Sequence, residues 1–152
     1  MTDLDDIRLV DLDEPLGRRI RAEVGETAWR YLHPEGGFAI VALAGEELVG
    51  FIAVQPRPLP APLPATTESY IDIIEVLESH RRKGVARRLV AAAARRGTAS
   101  GHYQLRAWSS SDKAEAIPMW KALGFGVVPT TTFPGGQAVP GYFVTLPLAR
   151  RD

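Results

Sequence analysis

Residues 79–90 read SHRRKGVARRLV and place five basic side chains around a single glycine, Gly84. The preceding residues 70–77, YIDIIEVL, are a continuous β-branched run with two carboxylates, which is typical of a central strand covered on both faces. After the glycine, apolar residues recur at helical spacing: Val85, Leu89, Val90 and Ala93. The quoted stretch is therefore predicted to join a buried strand to a helix.

A junction of this composition is suited to binding an anion. The first N–H groups of a helix lack partners, and the helix dipole adds partial positive charge at the same end. Gly84 lets the backbone approach a ligand closely, while Arg81, Arg82 and Lys83 add positive charge at the rim. The junction is therefore predicted to bind phosphate. It is not a Walker P-loop, because no G-x-x-x-x-G-K-[ST] is present, and the G-x-G at 124–126 follows a predicted helix instead of a strand.

The bulk composition narrows the class of protein. A chain of 152 residues is long enough for one domain with a sizeable core and too short to expect two. Its 18 basic and 18 acidic residues cancel, so the basic cluster is local and nucleic acid is not expected as a partner. The first residues, MTDLDDIRLV, are acidic where a signal peptide would be basic, and no apolar run approaches the ~20 residues that span a bilayer. We expect a cytoplasmic protein that does not enter a membrane.

The other elements alternate along the chain. Four-residue apolar spacing predicts a helix from Pro15 to about Leu32. Prolines at every second position from 56 to 64 remove every other backbone donor, so this segment is predicted to be an extended loop and not a central strand. Residues 112–115 resemble a capping box and open a helix that ends at Gly124. The remaining strand candidates are Ile7–Leu12, Phe38–Leu43, Leu48–Val54, Tyr103–Trp108, Gly126–Thr132 and Tyr142–Leu146.

Two motifs together resemble the GNAT family of N-acetyltransferases. Residues 81–86, which read Arg81-x-x-Gly84-x-Ala86, look like the family's acyl-CoA-binding motif [QR]-x-x-G-x-[GA], with Ala86 in place of the more usual glycine. Residues 116–125, AIPMWKALGF, are similar to the family's second block, A-x-P-x-Y-x-x-x-G-F. Both motifs occur in the family's order and on the expected elements.

The resemblance implies a fold and a cosubstrate. The fold would be α/β, a single domain over residues 1–152, with a mixed, mostly antiparallel sheet that splays open after its fourth strand and helices on both faces. Acetyl-CoA would occupy the opening as cosubstrate. Its pyrophosphate would bind the backbone N–H groups from residue 82 to residue 86, and Arg81 opens the motif. The loop residues concerned are Arg82, Lys83, Gly84, Val85 and Ala86.

The resemblance also implies how the reactive end of acetyl-CoA is held. The pantetheine arm would pair with the strand near Val76, Leu77 and Glu78. A backbone N–H there could also stabilise the oxyanion of the tetrahedral intermediate. Arg87 and Arg88, further along the helix, are expected to lie on its solvated face.

The reaction needs a base, because an amine with a pKa near ~10 is mostly protonated at neutral pH and cannot attack a thioester. Asp72 and Glu75 are the candidates, and strand alternation predicts one on each face. A buried salt bridge with an arginine is the structural alternative for such carboxylates. Glu75 is preferred, since it abuts Val76 and has the longer reach, and Glu35 is a third candidate.

The general acid departs from the family pattern. Many members carry a tyrosine where this chain has Trp120, and an indole N–H can donate a hydrogen bond but cannot serve as a proton-transferring acid. Lys113 also replaces an asparagine common at the start of this helix. Water, Ser109 or Ser110 could take the role of the acid.

These observations favour an N-acetyltransferase that uses acetyl-CoA to acetylate a primary amine by direct attack in a ternary complex. The chain has no cysteine, which disfavours a covalent acyl-enzyme. One alternative is a sensor that binds acyl-CoA without turnover, which Trp120 favours because it replaces the tyrosine. The other is a transferase with a longer acyl donor. The acceptor is expected to be a small-molecule or peptide amine, and these residues do not indicate which. They also do not decide whether the protein forms a homodimer.

No metal is expected at the histidines. They stand at positions 33, 80 and 102, and no two of them have the spacing of metal ligands. Each is expected to be a surface residue. His33 could also line the acceptor pocket, because the family builds part of that pocket from the loop after its first helix.

Overall fold

A computed structural model describes residues 6–63 and 65–148 of the chain. In chain order its main elements are β1 (Ile7–Asp11), α1 (Glu14–Glu23), α2 (Glu26–Arg30), β2 (Phe38–Ala44), β3 (Glu47–Pro58), β4 (Thr67–Val76), α3 (Val85–Ala99), β5 (Gln104–Ser110), α4 (Ile117–Ala122), β6 (Gly126–Thr132) and β7 (Val139–Pro147). The acidic residues Asp3 and Asp5 and Pro64 of the proline series lie outside the described residues.

The strands form one mixed sheet in the order β1-β2-β3-β4-β5-β7-β6. The pairs β1–β2, β2–β3, β5–β7 and β6–β7 are antiparallel. β4 and β5 are parallel and pair at two positions, Ser69 with Leu105 and Tyr70 with Arg106. The predicted mixed, mostly antiparallel α/β fold is confirmed.

The chain folds into two compact units. The first comprises Met1–Pro56 and Ile71–Arg96, and the second comprises Arg57–Tyr70 and Gly97–Asp152. Strand β4 contributes residues to both units. A single domain over residues 1–152 stays a prediction.

The core of the first unit lies between helices α1 and α2 and strands β2 and β3. Ile20, Ala28 and Leu32 from the helical segment pack with Val41 and Phe51 from the strands. These side chains are at most 6% exposed, so their burial removes a large apolar area from water.

The first helical segment differs from the prediction. The single helix predicted from Pro15 to about Leu32 is wrong, because α1 ends at Glu23 and α2 begins at Glu26. Gly25 lies between them with a φ of 139°, a conformation that glycine adopts readily and that a helix cannot contain. The start of α1 is capped by Asp13, whose carboxylate accepts the N–H of Leu16 at 2.9 Å.

Strand β3 runs further than predicted, through Pro56 and Pro58. Residue Val54 pairs with Phe38, where β2 begins, so both prolines lie beyond that ladder. Backbone N–H groups two residues apart point to the same edge of a strand, so the two prolines remove donors from one edge only. The backbone can therefore stay extended through both prolines. The predicted exclusion of this segment from a strand is therefore wrong for residues 55–58. Beyond them, the N–H of Leu59 donates to the carbonyl of Thr66 at 2.9 Å.

The second unit contains a buried ion pair that the sequence did not reveal. Glu68 is fully buried, and Arg106 approaches its Oε1 through both Nε and Nη2 at 2.7 Å. The amide Nε2 of Gln104 donates to Glu68 Oε2 at 3.0 Å. Nearby, Ser69 Oγ lies 2.7 Å from His102 Nδ1, and burial lowers the pKa of His102 below its ordinary value.

The predicted capping box does not form. Residues Ser111–Ala116 make a 3₁₀ turn without a side-chain cap, and α4 starts after it with Pro118 in its first turn. A proline there favours the start of a helix because its missing N–H has no partner at that position in any case. Within residues 6–63 and 65–148, no helix combines the length and the apolar character needed to cross a bilayer.

Candidate functional site

The junction between β4 and α3 has the backbone of an anion-binding loop. β4 ends at Val76, the 3₁₀ turn Glu78–His80 follows, and α3 begins at Val85. Between them, Arg82 has a φ of 64° and Gly84 a φ of 82°, both in the left-handed region. For Arg82 this conformation costs about 1–2 kcal/mol, and residues with such strain are enriched at active sites and ligand-binding loops.

The start of α3 presents backbone donors. In the described part of the chain, the N–H groups of Gly84, Val85 and Ala86 donate to no backbone carbonyl, and the carbonyl of Gly84 accepts from Arg88 at 3.2 Å. The first turn carries no acidic side chain. Unpaired N–H groups at a helix start, with left-handed residues before them, form a concave site for an anion. Arg81, Arg82 and Lys83 are exposed beside it.

The loop is tied to the end of β4. Arg81 Nε donates to the carbonyl of Val76 at 2.9 Å, so this side chain contacts the loop's own backbone. The N–H of Leu77 donates to the carbonyl of Val49 in β3 at 2.9 Å. Of the groups predicted to pair with a pantetheine arm, these two therefore already have partners in the protein. The predicted roles of Val76, Leu77 and Glu78 stay predictions.

His80, in the turn before the predicted motif, is less exposed than expected. His80 was expected at the surface, but it is 5% exposed. Its Nδ1 lies 2.8 Å from Ser79 Oγ and its Nε2 lies 3.9 Å from Glu47 Oε2. The 3₁₀ turn points this ring inward, which strand and helix periodicity could not indicate.

Arg88 is not the solvated side chain that was expected. It is half-buried, and its Nη1 donates to the carbonyl of Ile7 at 2.5 Å, whereas Arg87 is exposed as expected. Arg96, two turns further on, pairs with Asp11 at 2.6 Å. The basic face of α3 therefore contacts β1 and is only partly solvated.

The two carboxylates of β4 have neighbours in the first unit. Gln55 Nε2 donates to Asp72 Oδ1 at 2.5 Å, and Gln55 follows Phe51 and Ala53 of the first-unit core at two-residue spacing. Ile73 and Leu77, which flank Glu75 at the same spacing, pack against that core. The prediction of opposite faces for Asp72 and Glu75 stays a prediction.

Glu75 differs from Asp72 in its surroundings. Both are half-buried, but in residues 6–63 and 65–148 the Glu75 side chain makes no hydrogen bond or ion pair. Among the described residues, the salt-bridge alternative is therefore not seen for Glu75. Glu35 is exposed.

Sequence reasoning missed Gly50, which brings β3, β4 and α3 together. A Cβ at this position would lie 2.8 Å from the carbonyl oxygen of Glu75 and 3.3 Å and 3.4 Å from Val85 and Leu89 side chains. A glycine inside the apolar run LVGFIAV is the signal that could have indicated this close backbone approach.

Trp120 lies in the second unit and belongs to its core. It is 4% exposed, and its ring packs edge-on against Phe125 with the centroids 4.9 Å apart. Ser109 and Ser110, the predicted substitutes for the acid, are half-buried in β5. Their role and that of Trp120 stay predictions.

No metal site is evident in the described residues, which contain no group of three or more His, Cys, Asp or Glu side chains placed to bind a metal ion. His33 is exposed and lies edge-on to Trp29, with centroids 5.4 Å apart. The expected absence of a metal stays a prediction.

Known proteins share this fold. Residues 3–125 match the family model described as Acetyltransferase (GNAT) family. NAA60 from Arabidopsis thaliana in complex with acetyl-CoA is 16% identical with a TM-score of 0.71, over 93% of this chain and 99% of that one. The ribosomal-protein-S18-alanine N-acetyltransferase from Escherichia coli is 17% identical with a TM-score of 0.69, over 96% of each chain.

An aminoglycoside 6'-N-acetyltransferase complexed with coenzyme A is 17% identical with a TM-score of 0.70, over 95% of this chain and 99% of that one. No curated protein matches the chain in sequence. At these identities the solved structures establish a shared fold alone.

Proposed function

The chain belongs to the GNAT family of acetyltransferases, and from this premise we propose that it transfers the acetyl group of acetyl-CoA to a primary amine. The observation that carries the proposal is the loop at the start of α3. Arg82 and Gly84 are left-handed, and among the described residues the N–H groups of Val85 and Ala86 donate to no backbone carbonyl. Such a loop suits the pyrophosphate of CoA. Two proteins of the same fold were solved with acetyl-CoA or coenzyme A, which supports the same cosubstrate here.

The acceptor amine arrives as an ammonium ion and must lose a proton before it can attack. Glu75 is proposed as the base, because its carboxylate has no partner in the described residues and is only half-buried. One ammonium proton goes to Glu75, and the nitrogen then forms a bond to the thioester carbonyl carbon. When the carbon–sulfur bond breaks, the second nitrogen proton ends on the CoA sulfur and Glu75 returns its proton to water.

The departing thiolate needs little help from an acid. A thiol of this kind should have a pKa not far from the ~8.5 of a model cysteine, so its thiolate is a tolerable leaving group. Trp120→Phe, which keeps an aromatic ring but deletes the N–H, is therefore expected to change kcat by less than about tenfold. Trp120→Tyr is expected to leave kcat equal or raise it. A hundredfold fall for the Phe variant at unchanged melting temperature would contradict this reasoning.

A second candidate function is acyl-CoA binding without turnover. One observation favours it: the ring at the family's tyrosine position is buried against Phe125 and carries no hydroxyl. A transferase with a longer acyl donor is a variant of the first candidate. The acceptors printed for the similar proteins differ, an S18 alanine and an aminoglycoside, so they do not select between a peptide and a small-molecule amine for this chain.

The proposal is tested in two steps. Acetyl-CoA, and in parallel a longer acyl-CoA, is added to the full chain, and the shift in melting temperature measures binding. A CoA-release assay then covers amino acids, polyamines, aminoglycosides and peptide N-termini. Release of CoA with one amine class supports the transferase. Binding of acetyl-CoA without release on any amine favours the sensor, and no binding of either thioester refutes both candidates.

A further inference from the structure

His80 is a buried side chain beside the proposed cosubstrate loop, and the proposed reaction assigns it no role. Residues 72–84 are all described, and His80 is the only one of them that is buried. Its neighbours in the chain, Ser79 and Arg81, are exposed. A buried ring between exposed neighbours fixes this segment to the first unit, because moving the segment away would strip the ring of its packing contacts.

The ring also has two polar neighbours. Its Nδ1 lies 2.8 Å from Ser79 Oγ, and its Nε2 lies 3.9 Å from Oε2 of Glu47, the first residue of β3. The side chains of Ser79 and Glu47 are both exposed, so water can take the place of the imidazole for either of them. The buried ring itself is therefore the part of His80 that water cannot replace.

The start of β3 supports the same segment at two further points. The carbonyl of Val49 accepts the N–H of Leu77 at 2.9 Å. A Cβ at Gly50 would lie 2.8 Å from the carbonyl oxygen of Glu75, so the two backbones approach closely there. Together with the contact to the imidazole, β3 therefore supports the chain from the end of β4 through the turn that follows.

The loop after this turn needs such support. Arg82 has a φ of 64°, a conformation that a residue other than glycine keeps only where the surrounding structure holds it. On one side of the loop α3 begins at Val85, whose side chain is 1% exposed. On the other side the nearest buried side chain is that of His80. The left-handed loop is therefore held between two buried side chains.

We propose that His80 is a positioning residue that holds this loop in the conformation that binds the pyrophosphate of acetyl-CoA. The inference rests on the acetyl-CoA binding in the proposed function, and His80 acts only through the loop. A loop that is already held loses less conformational freedom when the ligand binds. The measured Kd rises by the inverse of the fraction of molecules in which the loop is competent, so a loosened loop should be visible directly in Kd.

The first experiment measures the loop without any ligand. Residues 81–83 are two arginines and a lysine, all exposed, and trypsin cleaves after both residue types. The held loop of the wild type is expected to resist limited digestion, and His80→Ala is expected to raise cleavage after these residues about tenfold. Mass spectrometry identifies the sites. Cleavage after Arg18, which is exposed in α1, is the internal reference and is expected to stay unchanged.

The second experiment measures acetyl-CoA binding by calorimetry. His80→Ala is expected to raise the Kd and the KM for acetyl-CoA about tenfold, with kcat at saturating acetyl-CoA changed less than about twofold. If this variant does not fold, His80→Asn, which also lacks the ring, takes its place. His80→Phe returns a ring of similar size, and it is expected to restore Kd and trypsin resistance to within about threefold of wild type, because both polar neighbours can turn to water.

His102→Ala is the matched control. His102 belongs to the second unit, and its Nδ1 also lies close to a serine, 2.7 Å from Ser69 Oγ. The substitution is expected to lower the melting temperature and to leave both the Kd of acetyl-CoA and the cleavage after residues 81–83 unchanged. A loss of stability alone is therefore not expected to reproduce the result for His80→Ala.

The outcomes are distinct. The inference is overturned if the variant without the ring keeps the wild-type Kd or the wild-type trypsin resistance, if His80→Phe restores neither, or if His102→Ala raises Kd as much. A wild type that does not bind acetyl-CoA overturns the proposed function and this inference with it. A wild type that binds acetyl-CoA but releases no CoA with any amine overturns the proposed transfer alone, because Kd and the cleavage rate still decide the role of His80.

Discussion

If the loop before α3 binds acetyl-CoA as proposed, one glycine, Gly84, should control the affinity. Gly84 has a φ of 82°, and its N–H is one of the donors at the start of the helix. Gly84→Ala adds a Cβ to a left-handed backbone, which costs about 1–2 kcal/mol. Gly84→Glu adds the same strain and also puts a carboxylate where the pyrophosphate is proposed to bind.

The size of the effect follows from linkage. At a concentration a hundred times Kd, a ligand that binds only the folded state stabilises it by about 2.7 kcal/mol. For a chain of 152 residues this corresponds to a rise of about 5–11 °C in melting temperature, at about 2–4 °C per kcal/mol. If Gly84→Glu raises Kd at least a hundredfold, the ligand concentration no longer exceeds Kd. The stabilisation then falls to about 0.4 kcal/mol, or about 1–2 °C.

The assay is thermal unfolding with and without acetyl-CoA. Gly45→Ala is the control, because Gly45 has a φ of 62° and a Cβ there would meet no atom within 4 Å. It should lower the melting temperature of the free protein by an amount similar to Gly84→Ala and keep the full acetyl-CoA shift. A folded Gly84→Glu variant that keeps the wild-type shift would refute the assignment of this loop to the cosubstrate.

Three further outcomes are expected. Glu75→Gln should lower kcat by ~10²–10⁴-fold at neutral pH, with partial recovery as rising pH deprotonates the amine; a pH–rate profile measures this, and an equal loss at every pH would indicate a role in binding. Gly50→Ala should destabilise the fold by about 1–3 kcal/mol in chemical denaturation, because its Cβ would lie 2.8 Å from a backbone carbonyl. Gly126→Ala, whose Cβ would meet its nearest neighbour at 3.9 Å, is the control and should stay near wild type. Arg106→Leu should cost about 3–5 kcal/mol by leaving the buried Glu68 carboxylate without its cation. Arg106→Leu combined with Glu68→Leu should recover most of that loss, and a double variant as unstable as the single one would contradict this explanation.

The candidate cosubstrate site could be predicted from the sequence because it is local. A β-branched run, a glycine with basic neighbours and a helical repeat lie within 25 consecutive residues, 70–94, and each feature acts through backbone geometry over a few positions. The positive φ of Gly84 and the start of α3 at Val85 agree with that reading. The positive φ of Arg82 was not predicted, since arginine rarely adopts that conformation.

The two carboxylates of β4 show what a local pattern could not decide. Alternation predicted opposite faces for Asp72 and Glu75, but it could not indicate that Asp72 accepts a hydrogen bond from Gln55 of β3. The same holds for the inward turn of His80 toward Glu47.

The sequence by itself determined the order of the strands along the chain and the strand-to-helix junction before Val85, because both depend on residues close together in the chain. Only the tertiary structure decided which polar groups have partners. Gln55 reaches Asp72 across 17 positions and Arg106 reaches Glu68 across 38, and Arg88 contacts Ile7 across 81. A hydrogen bond depends on distances of about 3 Å, and separation along the chain does not fix distances of that size until the strands and helices have packed.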